Sequence, residues 1–191
     1  MQVNNEQSNT HKMLMHNQSK QKVMSGGSLQ RKLVDVAENN IDPKESTILN
    51  CKDLKSDTLK NLMSVSSANV VSDADAELIV KLQFIEKVDI SQIFFYPASG
   101  SDSDSSPARL VKLFVNKPDL DFNDVETTPC VMELELPFET ENPEAPFSVT
   151  LQGSKFTRLS SLQIFVEDNF GTDATVVGRI KLEGFLAPSY H

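Results

Sequence analysis

LVKLFVNKPDLDF at residues 110–122 and LQIFVEDNFG at residues 162–171 are the stretches on which the fold turns, because each joins a strand pattern to a polar turn. In the first, Val111, Leu113 and Val115 share one parity and Lys112, Phe114 and Asn116 the other. Side chains alternate across a strand, so one face is apolar and the other mixed. In the second, Leu162, Ile164 and Val166 oppose Gln163, Phe165 and Glu167, again with a Phe among polar neighbours. The design returns at residues 180–185, where Ile180 and Leu182 alternate with Lys181 and Glu183, and Phe185 extends the charged side. Period-two runs rich in β-branched and aromatic residues predict antiparallel sheet with one packed face.

Working outward, residues 77–84 alternate Leu78, Val80, Leu82 and Phe84 against Glu77, Lys81 and Gln83, which reads as a half-buried strand. Residues 88–96 are more apolar and change phase around Ser91 and Gln92, where a bulge would shift the side chains. Pro97 closes that run. After the acidic serine loop SGSDSDSS (99–106), in which Ser99 and Ser101 precede an Asp by three residues, come the strand at 110, the PDLDF turn and a strand at 132–136. A Pro-rich acidic loop to Pro146, a short strand at 148–151 and the strands after Phe156 complete the chain. The spacing of Leu54, Thr58, Leu59 and Leu62 predicts one short helix. Many short strands with few helices make an all-β sandwich or barrel, and the lack of an internal repeat argues against propellers and solenoids.

A chain of 191 residues is one domain plus a tail. Residues 1–32 hold five Lys or Arg against Glu6 alone, a net +4; the whole chain carries −9, which leaves −13 on the rest. Residues 1–32 are dominated by Asn, Gln, Ser and Lys, with too little apolar surface to offset an ordering cost of about 1–2 kcal/mol per residue. They are predicted to form a disordered tail, with 33–47 a linker or short element and 48–191 the folded domain. An acidic body repels nucleic-acid phosphates. No apolar run approaches the ~18 residues that span a bilayer, and none resembles the core of a signal peptide. The expectation is a soluble monomer of the cytoplasm, with the nucleus as a second compartment and no nucleic-acid or membrane partner. Cys51 and Cys130 form no C-x-x-C, so they build neither a zinc ribbon nor a thioredoxin-type redox pair.

The ordered residues VKLFVNKPDLDFNDVE, MELEL and LQGSKFTRLSSLQIFVEDNFGTDATVVGRIKLEGF resemble, in order and spacing, the proteasome-interacting thioredoxin (PITH) domain family. Upstream, Leu49-Asn50 matches the family's Leu-Asn entry, and VSDADAELIVKLQF (71–84) its acidic lead into the first long strand. The resemblance covers roughly residues 48–185 and implies a β-sandwich of jelly-roll type, similar to galactose-binding domains. It also implies a stand-alone module that contacts the 26S proteasome or its accessory factors. The chain departs from the family in having Ile48 where a cysteine is common and a longer loop at 99–106. The thioredoxin domain of the founding members, with its C-x-x-C, is absent, so disulfide exchange is not carried over.

The residues themselves offer little chemistry. Catalytic carboxyl groups need burial or a close charge partner to tune them. Glu133 and Glu135 point outward from a strand whose other face is Met132, Leu134 and Leu136, and Asp119 and Asp121 flank a turn that Asp side chains stabilise locally. His11, His16 and His191 all lie outside the body, so no Ser-His or Cys-His nucleophile and no three-ligand zinc site is assembled. Asp168, Asn169, Thr172 and Asp173 do not follow calcium-loop spacing, and a polar hairpin explains them. His191, as the last residue, offers imidazole and carboxylate together on a short arm, a pair able to enter a partner's open metal position; an uninvolved terminus is the plainer reading. The expected protein is therefore a non-enzymatic interaction module with no cofactor or metal of its own. Its partner-facing residues are expected to be Asn116, Asp121, Phe165, Glu167, Asn169 and His191, at the two turns and on the Phe-bearing faces. The alternative is a small-ligand or carbohydrate-binding jelly roll that uses the loops at one end, although the lack of Trp counts against a stacked-aromatic sugar site.

Overall fold

The computed structural model describes residues 32–98, 103–139 and 144–187. The expected tail up to residue 31, residues 99–102 of the serine loop and His191 lie outside the described residues. In chain order the strands are β1 (Val34–Asp35), β2 (Thr47–Leu49), β3 (Asn69–Val71), β4 (Leu78–Phe95), β5 (Ser105–Val115), β6 (Met132–Glu135), β7 (Phe147–Thr150), β8 (Leu159–Asn169), β9 (Ala174–Gly178) and β10 (Ile180–Leu186). The one α-helix among the described residues, α1 (Thr58–Ser64), precedes β3 and turns Leu59, Leu62 and Met63 into the core. None of the described helices is long and apolar enough to cross a membrane.

The two strands expected at 77–84 and 88–96 are one, β4, because nothing between Phe84 and Val88 breaks an extended chain: there is no Gly or Pro. A register shift between Gln83 and Val88 bends it instead. The first half of β4 lies between β2 and β8, and the second half between β10 and β7. The expected bulge is present: Glu183 faces Gln92 and Gly184 faces Ile90, which leaves Ser91 as the extra residue. β5 is shared in the same way, with Ser105–Pro107 parallel to β9 and the remainder antiparallel to β8 and β6. One sheet thus curls over and packs on itself as a β-sandwich of jelly-roll type. Val111, Leu113, Leu162, Ile164, Val166, Ile180 and Leu182 fill the space between its layers, as their parity requires.

The Phe-bearing face of β8 could form a partner patch or lie beneath covering chain, and it is covered. Gln163 and Phe165 are only 1% and 2% exposed, so this strand is buried on both sides. The connection after β5 folds back over the sheet and lays Leu120, Phe122 and Val125 on Ile79, Phe114 and Phe165, with Leu49 and Cys130 at the margin. Phe122 meets Phe165 edge-on at 6.3 Å between ring centroids. The polar PDLDF turn carries enough apolar side chains of its own to form a second core. Phe114 and Phe165 therefore belong to that core rather than to a partner surface.

Candidate partner-binding surface

The described residues expected to face a partner are spread along β8 and the loop that covers it, with Asn116 beside the start of the strand and Asn169 at its end. At its start, Asn116 adopts the left-handed backbone that Asn tolerates better than most residues, with φ of 54°. Its Oδ1 accepts the Ser160 N–H at 2.8 Å and the Ser160 hydroxyl at 3.0 Å, while its own N–H donates to the Ser161 carbonyl at 3.0 Å. In the covering loop, Asp121 Oδ1 accepts the Asn123 N–H at 2.8 Å, which shapes the turn. At the far end Asn169 is 3% exposed. Its Oδ1 accepts the N–H groups of Gly171 and Thr172 at 2.8 and 3.1 Å, and its Nδ2 donates to the Ala174 carbonyl and Thr175 Oγ1, both at 3.0 Å. From Ser161 to Asn169 the strand runs roughly 26 Å. Asn169 is a buried brace for the β8–β9 turn, and the expected contact residue is corrected accordingly.

That brace continues through hydroxyl groups. Thr175 Oγ1 donates to the Ala76 carbonyl at 2.6 Å, the Ser72 hydroxyl accepts the Thr175 N–H at 2.9 Å, and Thr172 Oγ1 donates to Ser106 Oγ at 2.9 Å. Sequence reasoning missed this cluster because Ser and Thr read as neutral members of a strand, and nothing in their spacing marks them as partners.

Beside the covered apolar patch, the outer face is charged. Lys112 Nζ donates to Glu167 Oε1 at 2.7 Å. Burial, followed by Asp75, Glu167 and Glu126, holds the Glu77 carboxyl above its usual range, which places four acidic side chains in one field. Asn50, also left-handed at φ of 57°, ties that corner together: Nδ2 donates to the Glu77 carbonyl at 2.7 Å and to Asp75 Oδ1 at 2.8 Å, and Oδ1 accepts the Ala74 N–H at 2.9 Å. Towards the end of β8, Arg109 pairs with Asp168 and lies 3.8 Å from Glu135. The Arg109 guanidinium, then the Asn169 N–H, hold the Asp168 carboxyl below its usual range. Of the expected residues, Glu167 belongs to this acidic face, while Asn116 and Asp121 hold turns elsewhere.

The thiols and metal-ligand types are dispersed. Burial, reinforced by Asp53 and Asp73, pushes the Cys51 thiol up and disfavours the nucleophilic thiolate. Among the described residues no three His, Cys, Asp or Glu side chains are grouped to hold a metal ion.

Two concavities stand out among the described residues. The larger, about 1100 Å³, is an open groove under α1 with Asp35, Arg179, Lys181 and Glu183 on its β1–β10 side. The smaller, about 360 Å³, lies at one end of the sandwich where β4 leaves and β5 enters. Phe95, Tyr96, Leu136, Phe138, Phe147 and Val177 line it, and Phe138 is 58% exposed with its ring 5.0 Å from that of Phe170. Phe138 was absent from the expected set; a Phe placed after Leu136-Pro137 at the end of a strand is the only signal the sequence carries for it.

A family model described as PITH domain matches residues 29–189. The chain is 32% identical over 121 residues to Thioredoxin-like protein 1 of Schizosaccharomyces pombe, covering 62% of this chain and 40% of that protein. It is 34% identical over 116 residues to PITH domain-containing protein 1 of Danio rerio, covering 60% and 51%. The matched stretch thus spans about half the length of these relatives, or less. Among solved structures, the family 32 CBM of Clostridium perfringens NanJ in complex with galactose superposes with a TM-score of 0.56 at 6% identity, covering 80% of this chain and 99% of that one. A fucolectin from Morone saxatilis serum also gives 0.56, at 8% identity, covering 84% and 52%. These likenesses establish a galactose-binding-like jelly-roll fold.

Proposed function

The chain belongs to the PITH domain family, and from that membership we propose that it is a non-enzymatic protein-interaction module that associates with the 26S proteasome or its accessory factors. The observation that carries this reading is the family match across residues 29–189. The use of the polar groups supports it: Asn116, Asp121 and Asn169 spend their hydrogen bonds on turns, and Glu167 and Asp168 on Lys112 and Arg109. The acidic face around Asp75, Glu77, Glu126 and Glu167 is one partner-facing surface in this reading, with Asn116, Asp121 and His191 as further contacts. The protein acts as a monomer in the cytoplasm and nucleus.

A small-ligand or carbohydrate-binding role is the second reading, favoured by the pocket at the end of the sandwich. Among the described residues its only polar side chains are Tyr96 and Glu139, few for a ligand covered in hydroxyl groups. Quantitative affinity purification from cytosol tests the first reading: proteasome subunits enriched over a tag-only control are the expected result, and their absence at low salt would overturn it. A thermal-shift screen against simple sugars tests the second, and stabilisation by more than about two degrees would reverse the order.

A further inference from the structure

We infer that the pocket at the β4–β5 end of the sandwich is a docking site for an extended segment of a protein partner, in which one bulky apolar side chain is flanked by basic residues. This rests on the interaction-module reading above and adds where, and with what chemistry, a partner engages. The pocket's volume of about 360 Å³ falls within the range of natural ligand sites. Its walls are aromatic and aliphatic, and the exposed Phe138 ring stands at the rim, an arrangement suited to an apolar anchor.

The geometry around the pocket favours an extended segment. Leu136, just after β6, and Phe147, the first residue of β7, line it, and each of those strands pairs with a single neighbour among the described residues, β5 and β4 respectively. A strand with one open hydrogen-bonding edge accepts an extended backbone, and alternate side chains of the guest then turn towards the body.

Charge selects the flanks. Among the described residues Glu139 is the only charged side chain in the lining, it is exposed, and residues 33–191 carry the chain's negative excess. Arg179, the basic residue next to Gly178, lines the separate groove under α1 and lies over the Tyr96 ring at 4.9 Å. A basic flank is therefore drawn to the rim and an acidic flank repelled.

The test uses the full chain and three fluorescein-labelled peptides: one Phe between two Lys-Arg pairs, the same peptide with Ser for Phe, and one Phe between two Glu-Glu pairs. Fluorescence anisotropy is expected to show binding of the first, with the Ser and Glu peptides at least about ten-fold weaker. Phe138→Ser and Glu139→Lys change exposed side chains and leave the fold intact by circular dichroism; each is expected to weaken the first peptide by about three-fold or more. Methyl chemical-shift changes are expected at Leu136, Val176 and Val177. Equal binding of all three peptides, insensitivity to both substitutions, or shifts confined to the groove under α1 would each overturn the assignment. Proteasome capture by a protein that ignores the first peptide removes this pocket as the docking site and leaves the family reading in place; peptide binding without proteasome capture upholds the pocket and removes that reading.

Discussion

The Asn169 side chain does the work of several backbone groups at once, accepting from Gly171 and Thr172 and donating to Ala174 and Thr175 while itself only 3% exposed. Removing it orphans buried donors and acceptors together, so Asn169→Ala is expected to cost about 2–3 kcal/mol in urea denaturation. A value near zero would mean that the turn is held by its backbone alone. Asp35 on β1 makes the opposite case. Burial pushes its carboxyl up, outweighing the Ala37 N–H that donates to Oδ1 and the cations of Lys181 and Arg179. A carboxyl whose folded pKa is raised favours the native state while protonated, and that contribution is lost as pH rises through the folded value. Asp35→Asn keeps the acceptor for Ala37 but cannot ionise. It is expected to raise the urea midpoint relative to the parent at pH 7, with the gain shrinking towards pH 4; a gain that grew on acidification would show that the ion pairs dominate. At this scale the sequence yields residue types and their turn preferences, so Asn116 and Asp121 were legible as turn residues. Burial of Asn169 was not, because nothing local distinguishes a solvated amide from one enclosed by a neighbouring strand.

Elements were legible where the pattern is intrinsic to the strand. The inward parity of Leu162, Ile164 and Val166, and the phase change at Ser91, both follow from side-chain alternation alone and both appear in the fold. What alternation does not carry is which distant segment lands on the other face. The mixed face of β8 reads equally as a partner patch or as a face under covering chain, and only tertiary packing shows that residues 116–131 close over it. The continuity of β4 is illegible for a related reason: the period-two pattern lapses across Ile85, Glu86 and Lys87, yet the strand simply bends there and continues. Gly184 shows how tightly the elements meet at the bulge. A Cβ at that position would lie 2.0 Å from the Asp89 carbonyl oxygen and 3.0 Å from Ile90 Cα, backbone atoms that cannot swing away. Gly184→Ala must push β10 off β4 locally and is expected to destabilise by about 1–3 kcal/mol. Hydrogen exchange should accelerate first at the β10–β4 ladder around Asp89 and Ile90; a uniform change across the domain with no local component would argue against a steric origin.

For the molecule as a whole, the sequence sets a basic stretch, residues 1–32, against an acidic remainder, while the architecture of the described residues depends on two strands that serve both layers. β4 pairs with β2 and β8 through its first half and with β10 and β7 through its second; β5 links β9 to β8 and β6. Melting either layer alone would strip one side of a strand whose continuation is still paired, and would expose Val111, Leu162 and Leu182, which lie in a core common to both. A partly unfolded state of that kind loses much of the apolar burial yet retains much of the ordering cost, so it should not be populated. The expected behaviour in urea is one transition with coincident midpoints by far-ultraviolet circular dichroism, which reports the strands, and by the near-ultraviolet signal of the two tyrosines, of which Tyr96 follows the end of β4. The groove under α1 is where this expectation is most exposed, since β1 is only two residues long and joins through β10 alone. If the fold were modular, that corner would yield first and the two probes would separate. Coincident midpoints that move together under Gly184→Ala would instead place the bulge, both layers and the end pocket in one cooperative unit, so that a partner gripping that end stabilises the whole domain.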